Sequence, residues 1–282
     1  MGTAGLLMPE KVMELHKLNM PSGDDLWNLK FMAQFSSTAQ ICFAGGLYCV
    51  VRANDGAAIK MVSKYMKWVF TLMIGCNLYA TFGGLADSVW GSTGMAAIGL
   101  HSWTVLATLF VSALCASKEP KATTHKAPEN TSFAKFYNVT KVPLMYTAAR
   151  SVWILCAMYG VLLIACPKCL FEAYDIPMAK SEVGSGLFRL FSLGWGIALV
   201  GNASVYAAVI RSHSARTLYR CVRWAAFANF GLALFSAVTS TVWETKGGAE
   251  QAAQNEKAQA VLYIACFMLC VRAIDGKAKA GW

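Results

Sequence analysis

The residue types that carry chemistry are few in this chain and poorly spaced for catalysis. Its four histidines are His16, His101, His125 and His213, and no two share metal-ligand spacing. The sequence has no Ser/His/Asp arrangement, no glycine-rich phosphate loop and no paired carboxylates inside an apolar stretch. The expectation is a chain that is not an enzyme and that holds no metal through clustered side chains. His101 lies within an apolar stretch, where an imidazole can ligate a chlorophyll magnesium or a haem iron. Asn77, Gln40, Asn202 and Asn229 are amide candidates for the same pigment-binding role. The alternative for each is a hydrogen bond to a neighbouring helix, the common use of small polar residues in membranes.

Cys166-Pro167-Lys168-Cys169 is a C-x-x-C pair. A thioredoxin-like redox role needs a βαβ context, and a zinc site needs a second pair; neither pattern is present. The reading left is a chance pair, or a small disulfide if that side of the protein is oxidising. Most other cysteines (Cys42, Cys49, Cys76, Cys115, Cys156, Cys266, Cys270) fall in apolar stretches, where a thiol acts as a small hydrophobe. Asn130-Thr131-Ser132 and Asn138-Val139-Thr140 match the glycosylation pattern but fall on the basic side, and neither is expected to be used.

The elements that must position these residues are apolar and long. Of 282 residues, 56% are hydrophobic and 14% charged, against about 25% charged in ordinary soluble domains. Mean hydropathy is +0.45. These values place the chain among integral membrane proteins. Seven apolar stretches stand out, at 31–51, 68–86, 95–116, 147–166, 190–210, 224–243 and 258–271. Crossing a bilayer as a helix takes about 20 residues, and the last stretch reaches that length only if Arg272 snorkels to the headgroups. Bounded at their apolar residues, with the fourth taken from Ser151, the stretches hold no Asp, Glu, Lys, Arg or Pro. Ion-coupled carriers and proton relays keep ionisable groups there, so that class is set aside.

Segment order suggests duplication. Pro9 with Glu14 recurs as Pro167 with Glu172. Leu26–Leu29 resembles Leu187–Leu190, Lys64–Trp68 resembles Arg220–Trp224, and Ser88–Trp90 resembles Thr241–Trp243. The predicted fold is all-α and integral to the membrane: seven transmembrane helices as two parallel three-helix repeats, at 31–116 and 187–274, joined by a linker helix at 147–166. An odd linker restores the orientation that three crossings invert. Outside the spans come an interfacial segment at 1–30, a polar loop at 117–146, an amphipathic connector at 167–186 and a tail at 275–282.

Charge assigns the sides. Alternating the loops puts 17 Lys/Arg on one side and 8 on the other, which accounts for all 25. By the positive-inside rule the C-terminus lies on the basic side and the N-terminus on the opposite one. The net charge of +10 is therefore a topology signal, and no nucleic-acid partner is expected.

The three–one–three layout is similar to that of the SWEET sugar transporters, in topology alone. That resemblance implies passive movement of a small neutral solute; the Pro-Gln signature of that family is absent. Seven spans also bring rhodopsins and G-protein-coupled receptors into view. Here the seventh span has no Lys for a Schiff base and no Asn-Pro-x-x-Tyr, and no Asp-Arg-Tyr follows the third. The Glu-x-x-Asn/His-x-Arg pairing of light-harvesting proteins is missing too. The functional expectation is a non-catalytic accessory or linker subunit of a large energy-transducing complex. It would bind neighbouring membrane subunits, lipids and pigments such as chlorophyll or carotenoid. A photosystem with its antenna in the thylakoid is favoured as host, with the respiratory chain of the mitochondrial inner membrane second.

Overall fold

The helices that start at Gly56 and Ala215 are set by side-chain caps, not by the edges of apolar stretches. A computed structural model describes residues 2–16, 18–82, 85–90, 142–173, 182–245 and 250–278. The helices there are α1 Gly2–Leu7, α2 Pro9–Leu15, α3 Asp24–Ala53, α4 Gly56–Phe82, α5 Ala86–Trp90, α6 Val142–Ala165, α7 Pro167–Ala173, α8 Glu182–Ser212, α9 Ala215–Thr245 and α10 Glu250–Ala278. No strand occurs among the described residues.

The stretches 52–67 and 211–223, which separate apolar stretches and are rich in Lys and Arg, are two-residue turns flanked by helix. Asn54 takes a φ of 50° after α3, and the Asp55 carboxylate then accepts the backbone N–H groups of Ala57 and Ala58, both at 3.0 Å. His213 takes a φ of 54° after α8, and Ser214 Oγ accepts the Thr217 N–H at 3.2 Å. Each turn is thus a left-handed residue followed by an N-cap. The two caps also meet, since Ser214 Oγ donates to Asp55 Oδ2 at 2.8 Å.

Four of these helices are long and apolar enough to cross a membrane: Leu144–Ala165, Val183–Ser212, Ala215–Thr245 and Glu250–Asp275. α3 and α4 have the length, at 30 and 27 residues, but polar residues such as Gln34, Ser36, Ser37 and Gln40 leave α3 less apolar. The expected third span, 95–116, and most of the loop at 117–146 lie outside the described residues. The protein is therefore an all-helical, membrane-embedded chain with four such helices in the described part.

Extending the helices past the apolar stretches corrects one expectation. α8 begins before Arg189 and α10 before Glu256, so these two are among the ionisable residues that the hydropathy edges left outside and that stand within candidate spanning helices. In the N-terminal segment Leu15 is exposed, Met13 is buried and Leu18 packs on the core. Glu10 on α2 pairs with Lys30 on α3.

The residues group into two compact units. One draws on Met1–Phe43, Met66–Ser117 and Ala157–Gly201, the other on Ala44–Tyr65, Lys118–Cys156 and Asn202–Trp282. The first has a core of Leu29, Met32, Trp90, Leu163, Phe171 and Leu187. There α3 and α8 run side by side in parallel: a Cβ on Gly194 would sit 3.3 Å from Ser36 Oγ, and one on Gly201 would sit 2.9 Å from the Phe43 ring. α6 and α8 touch through glycine, since a Cβ on Gly160 would lie 2.9 Å from the Gly196 carbonyl oxygen. Small residues allow such approach in membranes, where packing and not water drives association. The second unit contains the α9–α10 hairpin. It buries Tyr206, whose hydroxyl donates to the Cys221 carbonyl at 2.9 Å, and Gly45 there accommodates the Trp224 indole.

Candidate functional site

Of the five sequence candidates, two can be placed with their side-chain partners. Asn202 on α8 is buried, and its Nδ2 donates weakly to Cys156 Sγ on α6 at 3.4 Å. Its Oδ1 reaches no hydrogen-bond partner and faces Gly46 on α3, where an added Cβ would be 3.4 Å away. Asn229 on α9 is buried and turns its amide back to the Ala225 carbonyl at 2.8 Å, inside its own helix. Gln40 is half-buried on α3. The side chain of Asn77 and the whole of His101 lie outside the described residues. Asn202 and Asn229 are packed where they stand, Asn202 against α6 and Asn229 on its own helix.

Two sites that the hydropathy edges hid are more informative. The first is Glu256, on the face of α10 that also buries Ala252, Ala253 and Ala260. The small neighbours bring α9 close, and that facing helix buries Ala233, Ser236, Thr239 and Ser240. Glu256 is 3% exposed. Neither Glu256 Oε2 nor Ser236 Oγ on α9 forms a hydrogen bond of normal geometry. A carboxyl removed from water needs donors, a partner charge or a proton. The signal available in the sequence was spacing: Ala252, Ala253, Glu256 and Ala260 fall on one helical face.

The second is Arg189, half-buried on α8. Its Nη2 donates to the Ile164 carbonyl at 2.9 Å. Ile164 lies in the last turn of α6, where carbonyls lack helical partners and the helix dipole is negative, so the guanidinium caps that helix. Beside it opens a groove of about 640 Å³, lined by Trp68, Thr71, Leu72, Gly75, Cys76 and Tyr79 of α4 with Ile164, Arg189 and Leu193. Its walls are mostly apolar, and the Thr71 hydroxyl is turned back to the Lys67 carbonyl at 2.8 Å.

The C-x-x-C closes a disulfide: Cys166 and Cys169 are bonded across the start of α7, with Cα atoms 5.5 Å apart. At the end of the N-terminal segment, burial is the main cause that holds the His16 imidazole below its ordinary pKa. Among the described residues, no group of His, Cys, Asp or Glu is placed to hold a metal ion. Set beside protein-family models, curated proteins and solved structures, the chain matches none.

Proposed function

We propose that the chain is a non-catalytic subunit of a large energy-transducing membrane assembly, working by contact with neighbouring subunits, lipids and pigments. The observation that carries this reading is the set of apolar rows left uncovered on three helices. They are Ile154, Met158 and Val161 on α6, Phe227, Phe230, Leu234 and Val238 on α9, and Val261, Ile264 and Met268 on α10, all exposed. Steps of three and four keep each row on one helix face. Faces of this kind suit hydrocarbon or the greasy flank of another subunit.

The finer architecture belongs to the same proposal. The full chain makes seven crossings, as two parallel three-helix units joined by α6. Support comes from α3 and α8: both follow a seven-residue helix that opens on proline, both end on a left-handed residue and an N-cap, and Ser36 faces Gly194 as Phe43 faces Gly201. The N-terminus lies on the less basic side, and the Cys166–Cys169 disulfide supports an oxidising environment there. The host we favour is a photosystem with its antenna in the thylakoid; a respiratory-chain complex is the second choice.

Mild solubilisation of the native membrane, capture through a C-terminal tag and an absorption spectrum of the eluate test this. The expected result is co-elution with a large complex carrying chlorophyll or haem. A lone monomer that moves a small neutral solute into liposomes overturns it in favour of the passive carrier that the three–one–three layout resembles.

A further inference from the structure

We infer that the Arg189 groove is a binding site for an anionic phospholipid, the guanidinium taking the phosphate and the α4–α8 groove taking an acyl chain. The inference rests on the reading of the chain as a protein that works by contact within a membrane, and it adds a site and a ligand class to it.

Among the described residues no carboxylate pairs with Arg189. The ion pairs among the described residues are Lys30 with Glu10, Lys168 with Glu172 and Lys257 with Glu244; none includes Arg189. One of its five N–H groups is engaged by the Ile164 carbonyl, which holds the planar group in place. The fork that remains matches two oxygens of a phosphate.

The surroundings fit the rest of a lipid. Trp68, Leu72, Tyr79, Ile164 and Leu193 make an apolar trough. From Trp68 to Tyr79 the α4 wall runs about 16 Å at 1.5 Å per residue, the scale of an acyl chain. Trp68 is 75% exposed and Tyr79 is 45% exposed, so their rings stand at the open side of the trough. Gly75 leaves the middle of the α4 wall bare: a Cβ there meets nothing within 4 Å. Tyr and Trp are the side chains that favour the headgroup boundary. The charge is not a demand of the helix pairing. In the register that puts Gly194 on Ser36, the residue of α3 matching Arg189 is Phe31, which is buried and packed on Phe35.

The test uses the full chain in phosphatidylcholine nanodiscs with added phosphatidylglycerol, read by native mass spectrometry of retained lipid and by thermal melting. The wild type should retain phosphatidylglycerol in preference to phosphatidylcholine and melt higher with it. Arg189→Gln keeps a donor for Ile164 and loses the charge; its preference should fall about tenfold, the weight of one charge-assisted hydrogen bond. Gly75→Leu fills the trough from a position with free space, and it should lose retained lipid of both kinds while melting no lower than wild type in lipid-free detergent. Unchanged lipid retention in both variants overturns the site. Equal protection by inorganic phosphate overturns it in favour of a soluble anion. If Arg189→Gln merely melts lower, with no change in lipid preference, Arg189 is a cap for α6 and nothing more. Because the measurement uses the isolated chain, it can fail while co-elution with a host complex succeeds, and the reverse.

Discussion

At the residue scale the decisive group is Glu256. A protein that works by contact has no use for an unpaired carboxyl between two helices, whereas one that moves protons or ions does. The two readings differ in what its removal does. Glu256→Met keeps the length of the side chain and removes both oxygens. Since Oε2 makes no hydrogen bond, the contact reading predicts a gain of about 1 kcal/mol in stability, as expected when a buried, unsatisfied polar group is replaced by an apolar one. Reversible unfolding in mixed micelles measures it. A large loss of stability, or a host complex that assembles but turns over slowly, would give the carboxyl a task. Asn202 is the quieter counterpart: its amide already spans α6 and α8 through Cys156, so Asn202→Leu should cost about 1 kcal/mol, the ordinary worth of one such bond.

At the element scale, glycines divide by what faces them. Gly160 and Gly196 hold α6 and α8 at backbone contact, and Gly201 receives the Phe43 ring. Gly160→Val forces a branched side chain against the Gly196 carbonyl and should destabilise by about 1–3 kcal/mol. Gly231→Ala, where a Cβ meets nothing within 4 Å, should stabilise by about 0.5–1 kcal/mol through helix propensity alone. Thermal melts of the two variants beside wild type separate these outcomes, and a neutral Gly160→Val would mean that α6 and α8 are not in contact. The sequence made the glycines visible as packing positions but not their partners, because spacing reports a face and not what meets it. Helix ends were less legible still. Hydropathy falls at Val51, yet α3 continues to Ala53 and α4 restarts at Gly56, because Asp55 and Ser214 cap their helices directly after a left-handed residue. The same blindness hid Arg189 and Glu256, which sit just beyond apolar stretches but inside the helices.

At the scale of the whole molecule, the all-helical, membrane-embedded character was legible from composition alone, because the bilayer permits few other solutions for so apolar a chain. The candidate ligands were less so: of the five, Asn202 and Asn229 turned out to be engaged with neighbouring helices or their own backbone, and His101 falls outside the described residues. Sidedness yields a further prediction. In sealed native vesicles, Cys166 and Cys169 should take up a thiol reagent only after reduction, and from the less basic face; labelling without a reductant would remove the disulfide and with it the support for an oxidising side.

The central claim is that the uncovered apolar rows meet other subunits. Photo-crosslinking amino acids placed at Met158, Leu234 and Met268 and activated in the native membrane test it most directly. The account predicts that at least one face gives a single protein adduct of fixed mass, and that the adduct disappears when the assembly is dispersed in detergent. Lipid adducts alone at all three positions, from a chain that stays monomeric, would contradict it.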